Sequence, residues 1–346
     1  MREYVLSLLI VFVFTAVQAQ PTLQDTLSAL SHEHTPIFTG SGDESIVCYK
    51  STHRDFFFAI TGLIIALALV LLKLFLFNRK TSRMLKSKNE IIEEKNKNIT
   101  DSINYAKRLQ NAILPTEASV NAILPEYFIL YQPKDIVSGD FYWVSEHGSK
   151  VVIAAVDCTG HGVPGALLSI VGHNALQQTV MEQNILEPAE VLTTMDGLIR
   201  KMLHQDGSGM IKDGMDMALC VYDKVSSVLN YCGANNPLYV VSEGKLNVIK
   251  ASKLTVGTIQ EQANRPETHR IQLKKGDCFY IFSDGYADQF GGKDNKKYKS
   301  SRLQGLLLSL YQLTMKTQSE KMEAEFNTWK GNHEQVDDVL IIGVKA

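Results

Sequence analysis

The pattern of apolar and polar positions changes character four times along the chain. Residues 4–17, YVLSLLIVFVFTAV, form an apolar run behind Arg2 that closes on Val17, Gln18 and Ala19. That is the layout of a signal core with a small-residue cleavage site. Residues 20–54 are polar and too short to bury a core of their own. Phe56 to Leu72 then carries no charge, and KLFLF extends the run to Phe77, enough for a tilted helix across a hydrocarbon layer about 30 Å thick. From Thr81 to Leu114 charge is dense, glycine is absent, and Leu85, Ile92, Ile99, Ala106 and Ile113 recur every seven residues. This spacing predicts a helical seam. Lys88, Lys95 and Ser102 occupy the intervening core positions, so a parallel coiled coil along the seam is weak, and a single amphipathic helix packed on the next domain fits the same pattern. Pro115 ends it, because proline lacks the N–H that would continue the ladder.

Beyond Pro125 the chain becomes short apolar runs separated by turn residues. Strands are predicted near 127–132, 139–145, 151–157, 216–223, 227–232, 237–241, 269–273, 278–283 and 338–344. Helices are predicted near 164–182, 188–204, 300–313 and 319–329. Adjacent strands joined by DKVSS, NNP and SEGK argue for antiparallel sheet covered by helices, an α+β class.

Charge adds topology. Lys73, Arg79, Lys80, Arg83, Lys86 and Lys88 crowd the C-terminal side of the apolar span, against Lys50 and Arg54 before it. The positive-inside bias then places the C-terminal part in the cytoplasm of a single-pass inner-membrane protein. A net charge of −2 gives no case for nucleic acid. The five cysteines are too few and scattered for a disulfide or zinc framework, and Cys48 is the one cysteine of the exported segment. His32 and His34 lack the further ligand spacing of a metal site and are taken as solvated.

The candidate chemistry lies at strand ends. Asp140 in VSGDFYW, Asp157 in VDCTGHGVPGALLS, Asp284 in FYIFSDGYADQF, and Asp337 with Asp338 in EQVDDVLIIG each sit at the end of a predicted strand. One aspartate beside a glycine is ordinarily a turn residue. Several brought together repel one another unless cations neutralise them, and hard oxygen donors favour Mg2+ or Mn2+ over zinc. Two such ions about 3.5–4 Å apart activate a shared water and hold a phosphoryl group. Gly160, Gly162 and Gly165 fit a backbone approaching an ion or a phosphate closely.

In order and spacing, VSGDFYW, DCTGHGVPGALLS, DGMDMALC, YCGANNPLY, KKGDCFYIFSDGYADQFGG and QVDDVLIIG resemble the SpoIIE branch of the PPM metal-dependent serine/threonine phosphatases, over residues 126–345. The resemblance implies a four-layer sandwich of two antiparallel sheets flanked by helices, with a centre of two Mn2+ or Mg2+ ions at one edge. It implies Asp157 as the bridging carboxylate and the Cys158 carbonyl as a further ligand. Asp284 and Asp337 would serve the second ion, with Asp338 leaving the register open by one, and Asp140 would hold a metal-bound water. His161 is a candidate general acid or an orienting residue of its loop, Lys134 a phosphate contact or a solvated lysine, Asp216 a brace, and DQFGGKDNKKY a flap able to bind substrate.

The expected organisation is a signal peptide over 1–19, a periplasmic segment over 20–54, a transmembrane helix over 55–78, a helical linker over 79–115 and a phosphatase domain over 116–346. The expected activity is hydrolysis of phosphoserine or phosphothreonine on a cytoplasmic regulatory protein, an anti-anti-sigma-type factor being the first candidate, by a two-metal-activated water, coupled to a membrane signal in a homodimer joined through the linker. The alternatives are a small-molecule phosphoesterase and a catalytically dead binding module of the same fold.

Overall fold

The computed structural model describes residues 43–124, 126–203, 213–258 and 265–346. The signal peptide, His32, His34 and the Cys48 side chain lie outside what is described. The chain divides into two compact units, Met1–Glu90 and Ile91–Ala346. The division therefore falls inside the expected linker and not at Pro115.

Helix α1 spans Asp43–Ile113 without a break, joining the expected membrane span and linker in one element. Among the described residues it is the one helix long and apolar enough to cross a membrane. Its most apolar stretch has a mean hydropathy of 2.7 and no buried residue.

The second unit is a sandwich whose layering follows from alternation along its strands. Strands β1 (Tyr127–Gln132), β2 (Phe141–His147), β3 (Lys150–Cys158), β4 (Met215–Asp223), β5 (Val228–Ala234), β6 (Leu238–Ser242), β7 (Lys245–Ile249), β8 (His269–Gln272) and β9 (Cys278–Phe282) precede a small hairpin, β10 (Phe290–Gly291) with β11 (Lys296–Lys297), and the last strand, β12 (Val339–Lys345). They form two five-stranded sheets, ordered β1-β12-β9-β6-β7 and β2-β3-β4-β5-β8. Every pairing within them is antiparallel.

In β3, Val151, Ile153 and Ala155 point between the sheets and meet Phe279, Ile281, Leu340 and Ile342 of the other sheet. Val152, Ala154 and Val156 point outward under helices α3 (Gly162–Leu176) and α4 (Pro188–Met202), against Leu176, Leu192, Met195 and Ile199. Tyr280, Phe282 and Ile341 do the same on the other sheet beneath α6 (Ser300–Leu310) and α7 (Met315–Lys330). Successive side chains of a strand face opposite ways, so strands covered on both faces become the continuous apolar runs seen in the sequence.

All nine strands expected from the sequence form, with ends shifted by a residue or two. The short helices α2 (Glu117–Ile123) and α5 (Gly285–Asp288) and the strands β7, β10 and β11 were not expected. The helix expected over 164–182 starts at Gly162 and passes into a π-helical stretch over Gln177–Glu182. The end of α1 belongs to this fold: Leu114 joins the core under α3, and Gln110 is only 2% exposed.

Candidate metal centre

Antiparallel pairing gathers the strand-end aspartates at one end of the sandwich. Asp157 lies across from Asp216. The pairing of Phe141 with Val156, continued by one residue, puts Asp140 on the other side of Asp157. In the second sheet Phe282 pairs with Ile341, so Asp284 just after β9 and Asp337 just before β12 reach the same end. Two sheets thus contribute acids to one place.

The electrostatics record that convergence. Burial first, then repulsion from Asp284, Asp337 and Asp216, pushes the Asp157 carboxyl up to about 8. Burial, then Asp288, Asp337 and Asp216, raises Asp284 to about 6, with Lys297 opposing the rise. Asp140 is raised well above the ordinary carboxylate range by burial and then by Asp157, despite a hydrogen bond from Ser283. Its Oδ2 is buried with no hydrogen-bond partner, an arrangement costly in free energy unless something else satisfies that oxygen.

Asp337 and Asp338 part company. Asp338 is 2% exposed, and its two oxygens accept the backbone N–H of Lys134 and of Gly139, each at 2.7 Å. It ties the loop before Asp140 to the start of β12. Asp337 instead accepts the N–H of Asp338 with Oδ1 at 2.9 Å; its charge acts on Asp157 and Asp284, and both Asp338 and Asp337 act on Asp140.

Cys158 is buried in the core under α3, and burial followed by the neighbouring aspartates pushes its thiol well up. A thiolate there is disfavoured, which leaves the backbone carbonyl as the donor this residue can offer. That carbonyl faces Gly139: a β-carbon there would lie 3.3 Å from the Cys158 oxygen and 2.5 Å from the Gly160 oxygen. Gly139 therefore allows two loops to touch. Gly165 likewise abuts the Gly160 carbonyl and Gly139 Cα, so its close approach is backbone to backbone, where the sequence suggested an ion or a phosphate. Gly160 is required for its φ of +85°.

His161, at the N-terminus of α3, is exposed, and its Nδ1 lies 2.7 Å from Asp135 Oδ2. Lys134 serves the centre through its backbone N–H. Asp216 accepts hydrogen bonds from Thr255 Oγ1 (2.8 Å) and Asn235 Nδ2 (2.9 Å), which brace it beside Asp157. The expected flap is the β10–β11 hairpin. Its turn is tied down where Gly292 N–H donates to the Trp329 carbonyl (2.8 Å), and at its base Lys297 pairs with Asp288 at 2.6 Å.

Sequence reasoning missed two participants, Asp135 and Gln110. Asp135 is one more acid in a polar loop, and Gln110 is a polar position beside the heptad seam, so neither carried a periodic or charge signal.

Among the described residues, no three His, Cys, Asp or Glu side chains are gathered tightly enough to hold an ion by themselves. Mg2+ is ordinarily bound through one or two carboxylates with waters completing its shell. The partnerless buried oxygen of Asp140, the repelling acids and the all-oxygen donor set fit such hard cations.

The family model of stage II sporulation protein E (SpoIIE) matches residues 147–346. The SiaA-PP2C domain of Pseudomonas aeruginosa is 32% identical, with a TM-score of 0.66 over 72% of this chain and 98% of that one. The PP2C phosphatase domain of SpoIIE from Bacillus subtilis, solved with a fragment of its regulatory domain, is 20% identical at a TM-score of 0.53, covering 64% of this chain and 63% of that one. The RsbU and RsbW domains of Rv1364c from Mycobacterium tuberculosis are 17% identical at 0.50, covering 64% and 60%. No curated protein matches significantly. With its two antiparallel sheets, flanking helices and acids gathered at one end, the chain belongs to the SpoIIE family of PP2C-type (PPM) phosphatases.

Proposed function

We propose that this protein is a metal-dependent serine/threonine phosphatase held at the inner membrane by residues 55–78, acting in the cytoplasm on a phosphorylated regulatory protein of the anti-anti-sigma type. The observation that supports it most is the meeting of Asp140, Asp157, Asp284 and Asp337 from two sheets, where the charge of Asp157 adds to burial in raising Asp140, and the charges of Asp284 and Asp337 do the same for Asp157. Two Mn2+ or Mg2+ ions bound there would supply a water of lowered pKa and the positive charge a phosphoryl group needs.

In this reading Asp157, between Asp140 of its own sheet and Asp284 and Asp337 of the other, is the bridging carboxylate. The Cys158 carbonyl donates beside it. Asp284 and Asp337 hold the second ion, while Asp338, with both oxygens given to backbone N–H groups, shapes the loop. Asp140 orients water through its free Oδ2. Asp135 fixes the His161 ring through Nδ1 and leaves Nε2 to protonate the leaving serine oxygen. The catalytic unit starts upstream of Gln110, and α1 joins two copies.

Phosphate release from phosphoserine peptides, measured on the full-length protein in detergent with Mn2+ or chelator, tests this. Asp157→Asn and Asp337→Asn are expected to cut Mn2+-dependent turnover at least about 100-fold with the fold retained, whereas loss of less than about tenfold would remove them from the centre. Asp338→Asn is expected to cost about 1–3 kcal/mol of stability, because one backbone N–H loses its acceptor. Turnover of small phosphate esters with none of phosphopeptides would favour a small-molecule phosphoesterase.

A further inference from the structure

Gln110 stands in the last turn of α1, a helix whose preceding turns are mostly exposed, yet it is almost wholly buried. A buried carboxamide is costly unless its donors and acceptor are used. Here they are: Nε2 donates to the Ser138 carbonyl at 2.6 Å and to Ser169 Oγ at 2.9 Å, and Oε1 accepts the Ser138 N–H at 3.1 Å. The side chain pairs with both backbone groups of one residue, as a neighbouring strand would. Ser138 lies three residues before the start of β2, an edge strand of its sheet.

Ser138 is two residues from Asp140, and its Oγ accepts the Asp140 N–H at 3.0 Å. Tyr131 OH donates to the Asp140 carbonyl at 3.1 Å, and Gly139 N–H is taken by Asp338. The backbone that aims Asp140 is therefore fixed by side chains from remote elements, and the one from α1 is Gln110.

We infer that Gln110 is a positioning residue of the metal centre, setting the Ser138–Asp140 backbone so that the buried Asp140 carboxylate meets the ion and its water. This rests on the reading of that carboxylate cluster as a metal centre. A partner that only orients a ligand typically changes metal affinity or activity 10–100-fold when removed, and that scale separates the role from simple packing. It also makes the end of the linker helix a working part of the centre, so residues 116–346 alone lack one of its supports.

The test uses the full-length protein in detergent, with free Mn2+ counted by its paramagnetic resonance signal and phosphate release followed in parallel. Gln110→Met keeps length and removes all three hydrogen bonds. It is expected to bind Mn2+ at least about tenfold more weakly, with turnover at saturating Mn2+ close to wild type and a cooperative thermal transition. Asn111→Met, an exposed neighbour on the same turn, is expected to bind as wild type. Gln110→Glu keeps the acceptor for Ser138 N–H, loses the donors and adds negative charge, which by itself would strengthen cation binding. Weaker Mn2+ binding by Gln110→Glu therefore supports the inference even if Gln110→Met does not fold. Wild-type affinity in whichever of the two variants folds overturns it, and wild-type protein that binds no Mn2+ overturns the metal-centre reading with it.

Discussion

At Asp157, burial and like charge act in the same direction, and the consequence is measurable as a pH dependence. Its carboxyl is pushed up to about 8 and that of Asp284 to about 6. Between the ordinary carboxylate range and those values, the folded metal-free protein holds protons that the unfolded chain releases. Stability of the metal-free protein therefore falls as pH rises through that window. Ligands must be deprotonated to bind, so Mn2+ affinity rises over the same window. Thermal melts with and without Mn2+ from about pH 5.5 to about 8 should show a metal-induced gain that grows with pH; a gain that shrinks would mean the acids are not the ligands. The aspartates themselves were legible in the sequence because each sits at or beside one end of an apolar strand. The different environments of Asp337 and Asp338 were not, because two adjacent aspartates differ only in which one backbone N–H groups of a loop some 200 residues earlier engage. Asp135 was hidden for the same reason, since its partner His161 lies on another loop.

Among the elements, α1 shows how one periodic signal can serve two surfaces. Ile92 and Ile99 stand 53% and 58% exposed, whereas Ile103, Ala106, Gln110 and Ile113 are at least partly covered. The seven-residue repeat runs through both groups, so the sequence displayed a seam without showing that its last turns pack on the sandwich. Asp replacement at Ile92 and Ile99 should leave the thermal midpoint within the scatter of surface changes, about 0.5 kcal/mol, while abolishing association in detergent. Ile113→Asp should instead cost about 2 kcal/mol of domain stability. Light scattering with thermal melts checks both, and unchanged association after the double replacement would remove α1 as the contact between copies. The main strands were legible because burial on both faces makes them continuous apolar runs. Strand β7 was not, because Lys245–Ile249 is a mostly exposed edge strand that carries polar residues. The helix α2 was missed for its shortness; it is held by Thr116 Oγ1 accepting the Ser119 N–H.

For the molecule as a whole, the centre is divided between layers: β2 and β3 bring Asp140 and Asp157, while β9 and β12 bring Asp284 and Asp337. The core between the sheets holds them face to face, yet at this end their acids push them apart. An ion bound between them, as proposed above, would replace that repulsion with shared attraction and work as a clasp across the sandwich, in addition to any chemistry it performed. Amide exchange on the full-length protein should then slow with Mn2+ at the ends of β3 and β9 together, and stay unchanged at the opposite end, around the turns at Gly148 and Gly276. Slowing confined to one sheet would mean that the ion does not span the two. A clasp of this kind would let the occupancy of the proposed centre govern how far one edge of the sandwich breathes, so that local opening at that end would become a readout of metal supply.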